Sequence, residues 1–236
     1  MDNRLNIVQT LFQNNCLLCG ASAKGDLGDF CASCRDSLPH SPPQHCVVCA
    51  LPLMESRICG ACLANPPAFD HSVAAMSYAF PVDALLHSLK YQANLAMASV
   101  LADLLTARID PDALPDFIVP MPLHPARLRE RGFNQALEIA RGVSRKLGVA
   151  LLPGICRRIK DTPSQTGLPW KEREKNIRNA FSCEADLRGK HVAMLDDVMT
   201  TGATLNELAK ALRKSGAAHV SGWVVARTLS SHDKIS

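Results

Sequence analysis

Eight of the ten cysteines in this 236-residue chain fall within its first 62 residues, as four Cys-x-x-Cys pairs: Cys16 and Cys19, Cys31 and Cys34, Cys46 and Cys49, Cys59 and Cys62. A Cys-x-x-Cys turn presents two thiolates to one metal. A second pair completes a tetrahedral sulfur site in a segment too short to fold on a core of its own. The eight cysteines therefore predict two closed four-thiolate sites, with zinc as the metal. Both read as structural, because a closed all-cysteine set leaves no open position for catalysis. A redox dithiol would instead be a single pair beside a β-α-β pattern. Pairing in sequence order leaves 11 residues between the pairs of the first site and 9 in the second. A cross-braced arrangement would span longer gaps, so sequential pairing is expected. Cys156 and Cys183 stand alone and read as small buried hydrophobes.

No apolar run approaches the roughly 20 residues of a membrane span. The stretch "MDNRLNIVQTLFQNN" has neither the basic start nor the long apolar segment of a secretory signal. The chain is thus expected in the cytoplasm, without membrane insertion, where thiols stay reduced and metal explains the cysteines better than disulfides do. Zinc also resets the charge. The formal balance is +4, and ionising eight thiols while binding two Zn²⁺ brings it to zero. Local charge is more informative: from Val119 to Lys190, fifteen Lys and Arg stand against seven Asp and Glu. Such a concentration attracts anions, whether small phosphates or a phosphodiester backbone.

Beyond the proline-rich "ANPPAFD" the chain alternates between strand and helix patterns. Val73 to Phe80 reads as extended; Asp83 to Lys90 and Leu95 to Ile109 read as helices. "DFIVPMP" is a short strand entering a loop. Asn134 caps a helix carrying Leu137, Ile139, Ala140, Val143 and Leu147, closed by Gly148. "ICRRI" reads as a strand, "KEREKNIR" as a helical turn, "HVAML" as a buried strand and "HVSGWVV" as another. Between those last two, Leu205, Leu208, Ala209 and Leu212 line one face of a helix ending at Gly216. The alternation predicts an α/β fold: a mostly parallel sheet flanked by helices, preceded by the small zinc-binding module. The expected boundaries are 1–66 for the double zinc module, 67–229 for the α/β domain and 230–236 for a tail.

One stretch carries chemistry. In "VAMLDDVMTTGAT" a buried strand runs into two adjacent carboxylates, Asp196 and Asp197, followed at once by Thr200, Thr201, Gly202, Ala203 and Thr204. Ligands of parallel α/β sheets bind beyond the carboxyl ends of the strands, which places the acid pair in that crevice. The loop then opens a helix, so its N–H groups and hydroxyls can surround a phosphate. Gly202 permits close approach and any positive φ the turn needs. Carboxylates accept hydrogen bonds from vicinal hydroxyls. Together the two features describe a ribose 5-phosphate.

That stretch resembles the phosphoribosyl-pyrophosphate signature of the type I phosphoribosyltransferases, a strand followed by D-D-x-x-T-T-G-x-T. "PLHPARLRERGFNQA" (Pro122 to Ala136), "TPSQTGLPWKERE", "NIRNAF" and the cysteine pairs together resemble the ComF/GntX family, in which a zinc-bearing module precedes a phosphoribosyltransferase domain. The resemblance runs from Cys16 to about Leu229. It implies that Asp196 and Asp197 hold the ribose 2′ and 3′ hydroxyls as the catalytic pair, and that Thr200 to Thr204 hold the 5′-phosphate. It further implies a pyrophosphate loop after "FIVPMP", working with Mg²⁺ and with Arg127, Arg129 or Arg131. The segment 161–178 would be a lid carrying Lys171 and Arg173. Lys90 and Tyr91 resemble the family's "LKY" element over the nucleotide site, and read equally as the end of an amphipathic helix. Trp170 and Phe133 are available to stack on a base.

Two functions follow from the resemblance. One is an enzyme that transfers phosphoribose to a nitrogen acceptor. The other is a competence protein of DNA uptake that binds single-stranded DNA beside the uptake helicase machinery, with phosphoribosyl pyrophosphate as ligand or regulator. The chemistry of transfer suits the residues: cleavage passes through a cationic, oxocarbenium-like sugar, so cations must stabilise the leaving pyrophosphate and a lid must exclude water.

Overall fold

The structure is a computed structural model that describes residues 15–21, 30–160 and 177–229. They divide into two compact units, one ending at Pro39 and the other beginning at His40. The first holds Cys16, Cys19, Cys31 and Cys34 and a short helix α1 (Ala32–Asp36). The second holds the other four paired cysteines, a short helix α2 (Gly60–Ala64) and the whole sheet. The second cysteine cluster thus belongs to the compact unit that carries the α/β fold.

The sheet is α/β as expected, and wholly parallel. Its strands are β1 (His71–Ser77), β2 (Phe117–Pro120), β3 (Ala150–Leu151), β6 (His191–Met199) and β7 (His219–Arg227), in the spatial order β1-β7-β6-β2-β3. A separate antiparallel ribbon pairs β4 (Cys156–Arg158) with β5 (Phe181–Cys183). The two lone cysteines face each other across it, Cys156 buried and Cys183 half-buried.

Helices cover both faces of the sheet, which is why residues 192–195 of β6 and 223–226 of β7 are apolar without alternation. The helices are α3 (Val82–Gln92), α4 (Ala96–Thr106), α5 (Pro125–Arg131), α6 (Gln135–Leu147) and α7 (Ala203–Lys214). Asn134 caps α6 as expected, its Oδ1 accepting from the N–H of Ala136 at 3.0 Å and of Leu137 at 3.4 Å. Its Nδ2 donates to the Met121 carbonyl at 3.0 Å, fixing the start of α6 to the chain leaving β2. Gly148 closes the helix in the left-handed conformation, with φ 68°. Where α4 crosses α6, a Cβ on Gly142 would lie 2.6 Å from that of Ala102, so the crossing requires glycine.

One expectation changes. The strand read as ending before the acid pair runs on to Met199, because β7 continues beside it: Asp196 is opposite Val224 and Met199 opposite Arg227. On its other side β2 stops at Pro120, opposite Leu195. Asp196 and Asp197 therefore still belong to a strand but lie past the end of its neighbour. The helical turn read in "KEREKNIR" lies mostly outside the described residues, as do Lys171, Arg173 and Trp170.

Candidate functional site: an acid pair and an anion loop at the carboxyl edge of β6

Connections leave β2 and β6 in opposite directions, β2 leading to β3 and β6 to β7. A crevice forms between two such strands at their carboxyl ends, and in parallel sheets ligands bind there. Asp196 and Asp197 sit on its β6 wall.

Two adjacent carboxylates leaving water need compensation. Lys90, near the end of α3, supplies it through an ion pair between its Nζ and Asp197 Oδ2, both side chains being largely buried. Burial acts against the charge on each partner. Their mutual attraction wins, holding the Asp197 carboxyl below the ordinary range and the lysine above its own. Among the described residues, Asp196 has no such cation in contact. Burial and then the Asp197 charge push its carboxyl well above the ordinary range, and one of its oxygens accepts the N–H of Asp197 at 2.9 Å. The repulsion evident in the sequence is thus divided unequally: Lys90 holds the Asp197 carboxyl down, while the Asp196 carboxyl is pushed up.

The loop after Met199 is built to leave N–H groups unspent. Among the described residues, the backbone N–H groups of Thr200, Thr201 and Gly202 have no hydrogen-bond partner. The next donor, the N–H of Ala203, is taken by Thr201 Oγ1 at 3.1 Å, and that of Asn206 by the Gly202 carbonyl at 2.8 Å. Gly202 has φ 80°, which only glycine adopts freely, and it is the first cap of the twelve-residue α7. Three free donors at the positive end of a helix form an anion site. A cleft of about 630 Å³ opens beside this loop, lined among others by Thr200, Thr201, Arg178, Lys210 and Arg227.

Residues placed in a pyrophosphate loop by the sequence are found on a helix. Arg127, Arg129 and Arg131 lie on α5, directly after the loop that leaves β2. Arg127 pairs with Glu130 at 3.3 Å. Arg131 donates to Gln135 Oε1 at 2.7 Å and lies over the Tyr91 ring at 5.5 Å, which sets α5 against the end of α3 that carries Lys90. Arg129 is exposed.

The cysteine clusters have the expected sequential pairing. In each, the four sulfurs lie within 4.8 Å of one another. Tetrahedral zinc with Zn–S near 2.3 Å requires sulfurs about 3.8 Å apart, and Cys19 to Cys31 and Cys49 to Cys59 are each 3.7 Å. The residues fit structural zinc. The two clusters also repeat one turn: the N–H of Gly20 bonds the Cys16 carbonyl and that of Cys16 bonds Ala21, as Ala50 bonds Cys46 and Cys46 bonds Leu51. The left-handed residue of each turn is Gly20 in the first and Ala50 in the second. Burial opposes ionisation at Cys46, but the backbone N–H groups of Cys59, Cys49 and Val48 prevail and bring its thiol down to about 7. Burial and neighbouring sulfurs push Cys49 up to about 11, against the Arg227 charge.

Arg227 was not singled out in the sequence, where it merely ends an apolar strand. It is 7% exposed. Its Nε donates to the Cys49 carbonyl at 2.8 Å; its Nη1 donates to the carbonyls of Met199 at 3.3 Å, Thr228 at 2.5 Å and Thr200.

Comparison with known proteins matches the two parts of the chain separately. A model of the double zinc ribbon domain matches residues 7–63, and one of the phosphoribosyl transferase domain matches residues 134–236. Competence protein F of Haemophilus influenzae is 33% identical over 230 residues, covering 93% of this chain and 100% of that protein. The chain belongs to the competence protein F family. The DNA utilization protein YhgH of Escherichia coli is 37% identical over 191 residues, 78% of this chain and 84% of that one. Competence protein ComFC of Bacillus subtilis is 24% identical over 239 residues, with coverage of 90% and 95%. The resemblance read from the acid-pair stretch and the cysteine spacing is therefore shown. No helix among the described residues of this family member is long and apolar enough to cross a membrane.

The raised Asp196 carboxyl has a measurable consequence. Its folded carboxyl is raised, so the stability cost of ionising it is absent at low pH and grows as pH climbs from the unfolded value toward the folded one. Asp196→Asn removes that cost and leaves the Lys90 pair intact. The variant should melt above the wild type, with a larger gain at pH 7 than at about pH 4, near the unfolded carboxyl value, in thermal scans; a gain independent of pH, or a loss, contradicts the assignment.

Proposed function

We propose that the crevice binds phosphoribosyl pyrophosphate, with the 2′ and 3′ hydroxyls on Asp196 and Asp197 and the 5′-phosphate on the loop Thr200 to Thr204. The observation that carries this reading is the run of three unspent N–H groups directly after the acid pair. One end accepts hydroxyl protons, the other donates to an anion, and a ribose phosphate presents both. Carboxylate oxygens are the hard donors that suit Mg²⁺, which is commonly held by one or two carboxylates together with substrate phosphates. Such an ion would supply positive charge to the pyrophosphate and offset the charge of an ionised Asp196. Arg127 and Arg129, on α5, are the cations nearest in sequence to the loop after β2. They would steady the departing pyrophosphate as the sugar becomes cationic, the step in which preorganised charge matters most. Phosphoribosyl transfer to a nitrogen acceptor is the reaction this arrangement serves.

Binding is tested by calorimetry with phosphoribosyl pyrophosphate and Mg²⁺. A hydrogen bond to a charged group is worth about 1.5–3 kcal/mol and about 1.4 kcal/mol is tenfold. Asp196→Asn should therefore weaken binding by about ten- to a hundredfold. Asp197→Asn strands Lys90, so it is made together with Lys90→Met and should weaken binding comparably. Gly202→Val should abolish it, because a β-branched residue does not hold φ 80°. Wild-type affinity in all three variants would remove the reading.

A second reading, single-stranded DNA as partner, is favoured by the surplus of cations between Val119 and Lys190 and by the names of the relatives, a competence protein and a DNA utilization protein. Oligonucleotide affinity should fall linearly with log salt, about 0.7 per phosphate contacted, and replacing Arg127, Arg129 and Arg131 with Gln should flatten that slope by about two. An unchanged slope places the DNA elsewhere; no binding at low salt removes DNA as a partner.

A further inference from the structure

A guanidinium buried to the extent of Arg227 ordinarily meets a carboxylate. Among the described residues it meets none. Its hydrogen bonds go instead to four carbonyls, three of them at the junction of β6, β7 and the loop, and the fourth that of Cys49. Each contact constrains more than an oxygen. A trans peptide holds its C=O and the following N–H antiparallel in one plane. By drawing the carbonyls of Met199 and Thr200 toward itself, Arg227 turns the N–H groups of Thr200 and Thr201 away from itself. These are two of the three donors left without a partner.

The contact to Cys49 lies within a docked turn. Val47 accepts from the N–H of Ser72 at 3.1 Å, Val48 from Ser72 Oγ at 2.6 Å and Cys49 from Arg227 at 2.8 Å, so consecutive carbonyls of the Cys46–Cys49 turn are held by β1 and β7. The sulfurs of the same turn belong to the second four-cysteine cluster. Metal there fixes the turn, the turn fixes the Nε of Arg227, and Nη1 of that rigid planar group holds the loop.

We infer that Arg227 is a positioning residue that sets the peptide orientations of the anion loop and makes them depend on metal at Cys46, Cys49, Cys59 and Cys62. That the loop holds the phosphate of a ribose phosphate rests on the reading above; the coupling itself does not. The inference concerns the second cluster alone; the first belongs to the other compact unit.

Hydrogen exchange on the full-length, metal-loaded protein separates these claims. The probes are two protected amides that depend on the loop: Thr228, bonded to the Met199 carbonyl at 3.0 Å, and Asn206, bonded to Gly202 at 2.8 Å. Arg227→Met should speed exchange of both at least tenfold while β2 and the first half of β6 stay protected, and should weaken phosphoribosyl pyrophosphate binding at least tenfold with zinc content unchanged. Should that variant not fold, Arg227→Lys gives the same comparison, since an ammonium keeps the charge but not the planar fork. Cys62→Ser, which disables the second cluster, should speed the same two amides, and Cys19→Ser, in the first, should not. Unchanged exchange in the Arg227 variant that folds, or equal loosening by Cys19→Ser and Cys62→Ser, overturns the inference. A wild-type protein that fails to bind phosphoribosyl pyrophosphate overturns the ligand reading, and the exchange comparison still decides the coupling.

Discussion

Charge withdrawn from water must be met within the fold, and the carboxyl edge of β6 and β7 is organised by two such encounters. Lys90 meets Asp197, and Arg227 meets the carbonyls around Met199 and Thr200. Removing one partner of a buried ion pair typically costs about 3–5 kcal/mol, because the other charge is left without compensation. That penalty explains why α3 brings its last turn to the acid pair. Without the lysine, burial and mutual repulsion would push both carboxyls up. With it, the two carboxyls shift in opposite directions, Asp197 down and Asp196 up.

The second cysteine cluster belongs to this arrangement and is not an appended bead. A segment of its size cannot bury enough apolar surface to order itself, so metal does that work. Its turn then serves as a wall for the sheet, with Ser72 and Arg227 reaching across to its carbonyls. The first cluster repeats the same turn chemistry in a separate compact unit, so one local solution to zinc binding appears twice in different surroundings.

Much of this was legible in the sequence, for reasons that differ by element. Cys-x-x-Cys spacing fixes ligand geometry locally, so both clusters and their sequential pairing could be read without a fold. The cap at Asn134, the left-handed close at Gly148 and the apolar face of α7 are likewise local. The acid pair and the glycine loop were legible because strand, carboxylates and turn are contiguous. Lys90 was visible only as a resemblance, since its pairing depends on how α3 crosses a strand more than a hundred residues later. Arg227 was not legible at all: an arginine closing an apolar strand reads as a surface residue, and only the fold shows the carbonyls that surround it. The division between compact units was hidden for the same reason, because spacing says what a cysteine binds and nothing of what its turn packs against.

The account places a sugar phosphate at one specific edge of one sheet. Its most direct test is a crystal structure of the zinc-loaded protein with phosphoribosyl pyrophosphate and Mg²⁺. The account predicts ribose hydroxyls within hydrogen-bond distance of Asp196 and Asp197, and the 5′-phosphate on the N–H groups of Thr200, Thr201 and Gly202. Ligand density elsewhere on the molecule, or an empty crevice at saturating ligand, would contradict it.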